Sequence, residues 1–133
     1  LSQTQSFTNR RWFFAPLIAA AALFQSDPGL AQTPMRGKLL FLRCASCHNI
    51  DDTASTKIGP NLKGVVGRNA GSLPGYTYSA AMRSQTFTWD EDTLDKWLTK
   101  PSALVPGTAM AFGGVPVKAD REAIIGYLRD AGH

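Results

Sequence analysis

Cysteine and histidine are scarce in this 133-residue chain, with two of each. Both cysteines, Cys44 and Cys47, and one histidine, His48, fall within five consecutive positions, and the other histidine, His133, is the last residue. With no second C-x-x-C and no spaced histidine pair, a four-ligand zinc site has too few donors. The flanking segments lack the alternating apolar strands that would accompany a thioredoxin-like dithiol. A long hydrophobic run is also missing. The longest, WFFAPLIAAAALF (Trp12 to Phe24), is thirteen residues, short of the ~20 that span a bilayer. Charge of one sign is in slight excess only, 14 basic against 10 acidic side chains. No clustered basic stripe appears, which argues against nucleic acid. The glycines at 59, 64, 67, 71 and 75 lack the G-x-x-x-x-G-K-[ST] order of a phosphate-binding loop.

What is present is concentrated in FLRCASCHNI, residues 41–50. If that segment is helical, positions 44, 47 and 48 are related as i, i+3 and i+4. Both sulfurs and the imidazole then leave one face of one turn and can grip one flat object. C-x-x-C-H is the signature of c-type haem attachment.

Thioether attachment needs reduced cysteines delivered outside the cytoplasm, so an export signal is expected. Arg10 and Arg11 form a basic region, Trp12 to Phe24 an apolar one, and Gly29-Leu30-Ala31 a cleavage site before Gln32. Residues 1–31 therefore read as a cleaved signal peptide and 32–133 as one domain in the periplasm. A retained anchor is the alternative, but Asp27, Pro28 and Gly29 would break its helix. Cleavage leaves 102 residues carrying 12 basic and 9 acidic side chains. A soluble domain of that size buries little core unaided, and a haem would serve as its missing centre.

The periodicity predicts an all-α fold with irregular connections. RGKLLFLRC (Arg36 to Cys44) reads as a helix ending at the haem motif. The region from Asn49 to Tyr78 is rich in glycine and contains Pro60 and Pro74, so no long element is expected there. WDEDTLDKWL (Trp89 to Leu98) has a capping Asp90, an acidic first turn, and Leu94, Trp97 and Leu98 at i, i+3, i+4. Pro101 should end it. KPSALVPGTAMAFGGVP (Lys100 to Pro116), with three prolines and three glycines, reads as an extended loop throughout. A last helix near Asp120 to Ala131 should bury Ile124, Tyr127 and Leu128.

An imidazole fills one axial position of a haem iron, and the occupant of the other separates an electron carrier from an oxygen-chemistry enzyme. The chain offers three methionines. Met35, close to the cleavage site, should be exposed. Met82, in YSAAM, reads as core filler on a helical turn. Met110 lies in the constrained loop VPGTAMAF, where a thioether is a poor packing choice and a good soft ligand.

CASCH, IGPNLKGVVGR (Ile58 to Arg68), PGYTYSAAM (Pro74 to Met82), Trp89, VPGTAM (Val105 to Met110) and IIGYL (Ile124 to Leu128) stand in an order and spacing that resembles class I c-type cytochromes. The similarity is to the mitochondrial type and its bacterial relatives, and it covers nearly all of residues 32–133. The resemblance implies the cytochrome c fold, few helices and irregular loops wrapped around one haem c bound covalently through Cys44 and Cys47. It implies His48 and Met110 as iron ligands, with the Pro60 carbonyl accepting from the His48 ring. Tyr78 and Trp89 would donate to a haem propionate and Arg68 would offset its charge. Thr108 and Phe112 would support the Met110 loop. Gly37 and Phe41 would cross the last helix near Tyr127.

The chain departs from the mitochondrial pattern in four respects. Phe41 precedes Cys44 by three residues instead of four. Trp97, near the haem, replaces a tyrosine, and Met82 replaces an asparagine. Ser102, Ala103 and Ala109 replace lysines on the docking face. The function implied is that of a monomeric, non-enzymatic carrier moving one electron between respiratory or dehydrogenase partners by transient docking. Such partners are a cytochrome bc-type complex, a terminal oxidase, a peroxidase or a dehydrogenase. The alternative is a haem enzyme or ligand sensor with a displaceable sixth ligand. No second histidine, arginine or acid is evidently placed for distal acid–base chemistry.

Overall fold

A computed structural model describes residues 34–53 and 56–132. The reading of residues 1–31 as a signal peptide lies outside the described residues. The described residues form five helices in order: α1 (Pro34–Ala45), α2 (Ala80–Arg83), α3 (Glu91–Thr99), α4 (Pro101–Leu104) and α5 (Lys118–Asp130). Among the described residues there is no strand, only an isolated antiparallel bridge between Asn69 and Thr88. No helix among them is long and apolar enough to cross a membrane. The all-α expectation holds among the described residues.

The frame is the crossing of α1 and α5. Glycine in a helix interior costs up to ~1 kcal/mol relative to alanine, yet Gly37 sits in α1 because the helices touch there. A Cβ on Gly37 would stand 2.2 Å from the Ala123 carbonyl oxygen and 2.7 Å from the Tyr127 Cβ. One turn on, Phe41 is buried and its ring lies 5.3 Å from that of Tyr127. The shorter spacing between Phe41 and Cys44 therefore leaves Phe41 on the face toward α5. Tyr127 itself is half-buried; Ala123, Ile124, Ile125 and Leu128 form the inner face of α5.

α3 starts as its sequence dictates. Asp90 accepts a 2.7 Å hydrogen bond from the Thr93 amide, and Glu91 and Asp92 place negative charge at the positive end of the helix dipole. Leu94, Trp97 and Leu98 are buried. Trp89 lies before the helix, not in it. Its amide donates to the Arg68 carbonyl and its carbonyl accepts from the Gly67 amide, both at 2.9 Å, stitching the central loop to the start of α3.

The region from Lys100 to Pro116 is not a loop throughout. Pro101 terminates α3, which ends at Thr99, but it also opens α4. A proline at the first helical position lacks only an N–H that would be unpaired anyway, and its fixed φ suits the helix. The extended loop begins only after Leu104, and the Val105 amide donates to the Pro101 carbonyl at 2.9 Å. In the core, Val105, Val115 and Ile124 are almost fully enclosed, with Trp89, Trp97, Leu94 and Leu98 around them.

Candidate functional site

α1 delivers the C-x-x-C-H segment at its carboxyl end. The amides of Cys47 and His48 both donate to the Cys44 carbonyl, at 3.0 and 2.9 Å, so the chain turns tightly there. Cys44 is half-buried and Cys47 exposed, and neither is in a disulfide. Burial, only partly countered by Arg43, pushes the Cys44 thiol pKa up. His48 is buried. Its Nδ1–H donates to the Pro60 carbonyl at 2.7 Å. Because a carbonyl can only accept, this bond fixes the tautomer and leaves the Nε2 lone pair free for a metal. Burial lowers the His48 pKa, Lys57 adds to that, and the Pro60 contact opposes it. The net direction favours the neutral imidazole.

The segment carrying Pro60 is pressed against the ring. A Cβ on Gly59 would lie 2.4 Å from His48 Cε1 and 2.6 Å from Nδ1, so only glycine fits. Three straps hold the segment there. The Gly59 amide donates to the Cys47 carbonyl at 2.8 Å. The Lys57 ammonium donates to the carbonyls of His48, at 3.1 Å, and Ala45. The Tyr76 hydroxyl donates to the Ile58 carbonyl at 2.7 Å. Burial and the neighbouring Tyr78 raise the Tyr76 pKa. Beyond Pro60, Arg68 donates to the carbonyls of Asn61, at 3.0 Å, and Lys63, so its guanidinium also braces this loop.

The aromatic residues form two groups. Tyr78 packs edge-on against Tyr76 with ring centres 4.7 Å apart. Trp89 is held between Phe87 at 4.9 Å and Trp97 at 5.2 Å, both edge-on. Trp97 thus packs as a core residue beside Trp89. Met82 is buried, and Met35 is exposed.

Met110 is half-buried against the core. Its amide donates to Thr108 Oγ1 at 3.3 Å, and its carbonyl accepts from the Phe112 amide at 3.1 Å. Thr108 and Phe112 therefore touch the Met110 backbone directly. Met110 is not bare of apolar neighbours, since it rests on the same core as Leu104 and Phe112.

A haem needs two thiols on one face, an oriented imidazole with a free nitrogen, a soft sulfur and apolar walls. Cys44, Cys47, His48 and Met110 supply that donor chemistry, and half-buried Ala45, Ile50, Leu62, Val66, Ala81 and Leu104 line the core beside them. The fit is good. Sequence reasoning missed Lys57, Gly59 and Tyr76 as supports of His48. Gly59 next to Pro60 carried a weak signal, but the donors to the Ala45, His48 and Ile58 carbonyls carried none.

Comparison with known proteins is consistent with this arrangement. The family model described as cytochrome c matches residues 34–131. The chain is 42% identical to a cytochrome c2 of Rhodomicrobium vannielii over 112 residues, covering 84% of this chain and 90% of that protein. It is 45% identical to a cytochrome c2 of Rhodoblastus acidophilus over 98 residues, covering 74% and 92%. Among solved structures, cytochrome cH from Methylobacterium extorquens superposes with a TM-score of 0.67 at 39% identity. That match covers 73% of this chain and 97% of the other.

Proposed function

The chain belongs to the cytochrome c family and is a single-haem electron carrier, and we propose that His48 and Met110 are the two axial ligands through which it performs that role. Haem c is joined through Cys44 and Cys47, and when bound it supplies an iron that exchanges one electron reversibly. The observation that carries the assignment of His48 is the 2.7 Å contact from its Nδ1 to the Pro60 carbonyl. It holds the ring in one orientation and raises the donor strength of Nε2.

The other residues act by binding and by excluding water. Met110 supplies a soft thioether, which with an imidazole favours a comparatively high potential. Tyr78 and Trp89 are the donors toward a propionate. Arg68 braces the carbonyls of Asn61 and Lys63, so its guanidinium offsets that carboxylate from a fixed position. Trp97 closes the apolar wall behind Trp89. Thr108 and Phe112 hold the Met110 backbone.

The carrier is not an enzyme in this reading. It is monomeric, is exported to the periplasm with residues 1–31 removed, and docks transiently with redox proteins such as a cytochrome bc-type complex, a terminal oxidase, a peroxidase or a dehydrogenase. Ser102, Ala103 and Ala109 are all exposed, so the surface near the Met110 loop is less basic than in lysine-rich relatives. Its docking should accordingly depend less on ionic strength. The test is the visible spectrum of the ferric protein. A six-coordinate low-spin signature with the iron–sulfur charge-transfer band supports the carrier, and a five-coordinate high-spin spectrum contradicts it.

A further inference from the structure

The loop from Val105 to Val117 has few bonds of its own after Met110. Ala111, Phe112, Gly113 and Gly114 separate the methionine from Val115, and the two glycines stiffen nothing locally. Gly114 has φ +98° and passes so close to α3 that a Cβ would stand 2.0 Å from the Thr99 carbonyl oxygen. Where the loop ends, the contacts become dense. The Val115 amide donates to the Leu98 carbonyl at 2.7 Å, and Val115 is almost fully enclosed. Arg121 Nη1 donates to the carbonyls of Val115 and Pro116 at 3.0 and 3.1 Å. The same guanidinium donates from Nε to Asp95 Oδ1 at 2.7 Å and from Nη2 to Oδ2 at 3.4 Å. Arg121 is only 8% exposed, so its charge depends on Asp95 for compensation.

We propose that Asp95 on α3, acting through Arg121 on α5, is a positioning residue for the distal ligand. It locks the exit of the loop and so sets how readily Met110 leaves its place. The proposal rests on the reading of Met110 as an iron ligand. A second ion pair between the same two helices gives the control. Arg129 and Glu91 meet at 2.7 Å, both more than half exposed, and neither bonds to the loop. If ion pairs served only to join α3 to α5, the two pairs would act alike. If the loop is the object, only Asp95 matters.

The experiment uses the haem-loaded protein as Asp95→Asn, Asp95→Glu, Arg121→Lys and Glu91→Gln variants. Two quantities are measured: the apparent affinity of added imidazole for the ferric form, and amide hydrogen exchange. Imidazole binds only when Met110 has left, so its apparent affinity reads the fraction of open loop. Asp95→Asn should raise that affinity about tenfold, the scale expected for a lost charge-assisted pair. It should also speed exchange of the Val115 amide by about as much, with the amides of Ile124 and Leu128 unchanged. Arg121→Lys should fall between it and the parent, Asp95→Glu should stay close to the parent, and Glu91→Gln should change nothing. Unchanged imidazole affinity and Val115 exchange in Asp95→Asn would overturn the proposal, as would equal acceleration of all α3 and α5 amides. A parent ferric spectrum without the iron–sulfur band would instead overturn the Met110 assignment and the positioning role with it. Val115 exchange would still decide whether Asp95 anchors the loop.

Discussion

The two sides of the haem site are built by opposite means. On the His48 side, covalent attachment points lie in one turn. The ring is clamped by Gly59 and Pro60, and the clamp is strapped by Lys57 beside it and by Tyr76 from further along the chain. On the other side, Met110, the proposed distal ligand, has two local backbone hydrogen bonds beside its packing on the core, and the loop is secured mainly at its far end by α3 and α5. Locally built geometry survives partial opening, because its parts move together. Remotely anchored geometry is lost when the anchor slips. With His48 and Met110 as the proposed ligands, the first should therefore be permanent and the second replaceable, and perturbations of the two sides should differ in size and kind.

The largest effect should come from the attachment points. In a Cys44→Ala/Cys47→Ala double variant, covalent haem can no longer complete the centre of a small domain. The product should be unfolded or degraded, with loss of helical circular dichroism. A folded, haem-free double variant showing cooperative thermal unfolding would contradict this.

Next in size is the clamp. Gly59→Ala places a methyl where the His48 ring stands, so either the ring or the 58–60 segment must move. A loss of about 2–4 kcal/mol in denaturant unfolding of the haem protein is expected. Gly64→Ala separates steric from backbone effects. Gly64 has φ +64° with nothing near its Cβ position, so only about 1 kcal/mol of strain should appear. Equal losses at both positions would remove the distinction between the clamp and an ordinary turn.

A smaller effect concerns what replaces Met110 at high pH. Residues 102–116 contain no lysine. Lys100 is the residue between α3 and α4, and Lys118 is paired with Glu122. That pairing raises the Lys118 pKa, so its amine stays protonated to higher pH and is a poorer ligand. The iron–sulfur band should persist to higher pH than in a lysine-rich relative, and the alkaline form should carry hydroxide. Magnetic resonance of the alkaline ferric protein showing an amine ligand would refute this, and Lys100→Ala would identify its source.

The smallest effect is at the α3 cap. The Thr93 hydroxyl and amide hold the Asp90 pKa below its ordinary value. A depressed carboxylate contributes stability above its unfolded pKa of ~3.9 and loses it as pH falls through the lower folded value. Asp90→Ala should be slightly less stable than the parent at pH 7 and should converge with it under acid. Thermal midpoints measured across pH would reveal a gap that stays constant if the cap is not the cause.

This division also explains what could be read from sequence. The His48 side is legible because its chemistry is written in consecutive residues, and α3 is legible because Asp90 and the Leu94, Trp97, Leu98 stripe are local signals. The turn opened by Pro101 was hidden because proline marks an ending and a beginning equally well. Asp90 was legible as the cap, but the backbone pairing of Trp89 before it with Gly67 and Arg68 was not. Asp95 and Arg121, 26 positions apart, meet only through the packing of α3 on α5, which no local pattern encodes. Lys57 and Tyr76 reach backbone carbonyls, and such acceptors leave no trace in side-chain sequence.

The most direct test compares the ferric spectra of Met110→Ala and Met82→Leu. The two methionines differ in that Met82 is buried on a helical turn and Met110 rests in a remotely anchored loop. The iron–sulfur band should vanish in Met110→Ala and remain in Met82→Leu. Loss of the band in Met82→Leu alone would contradict the assignment of the distal ligand and the contrast between the two sides that depends on it.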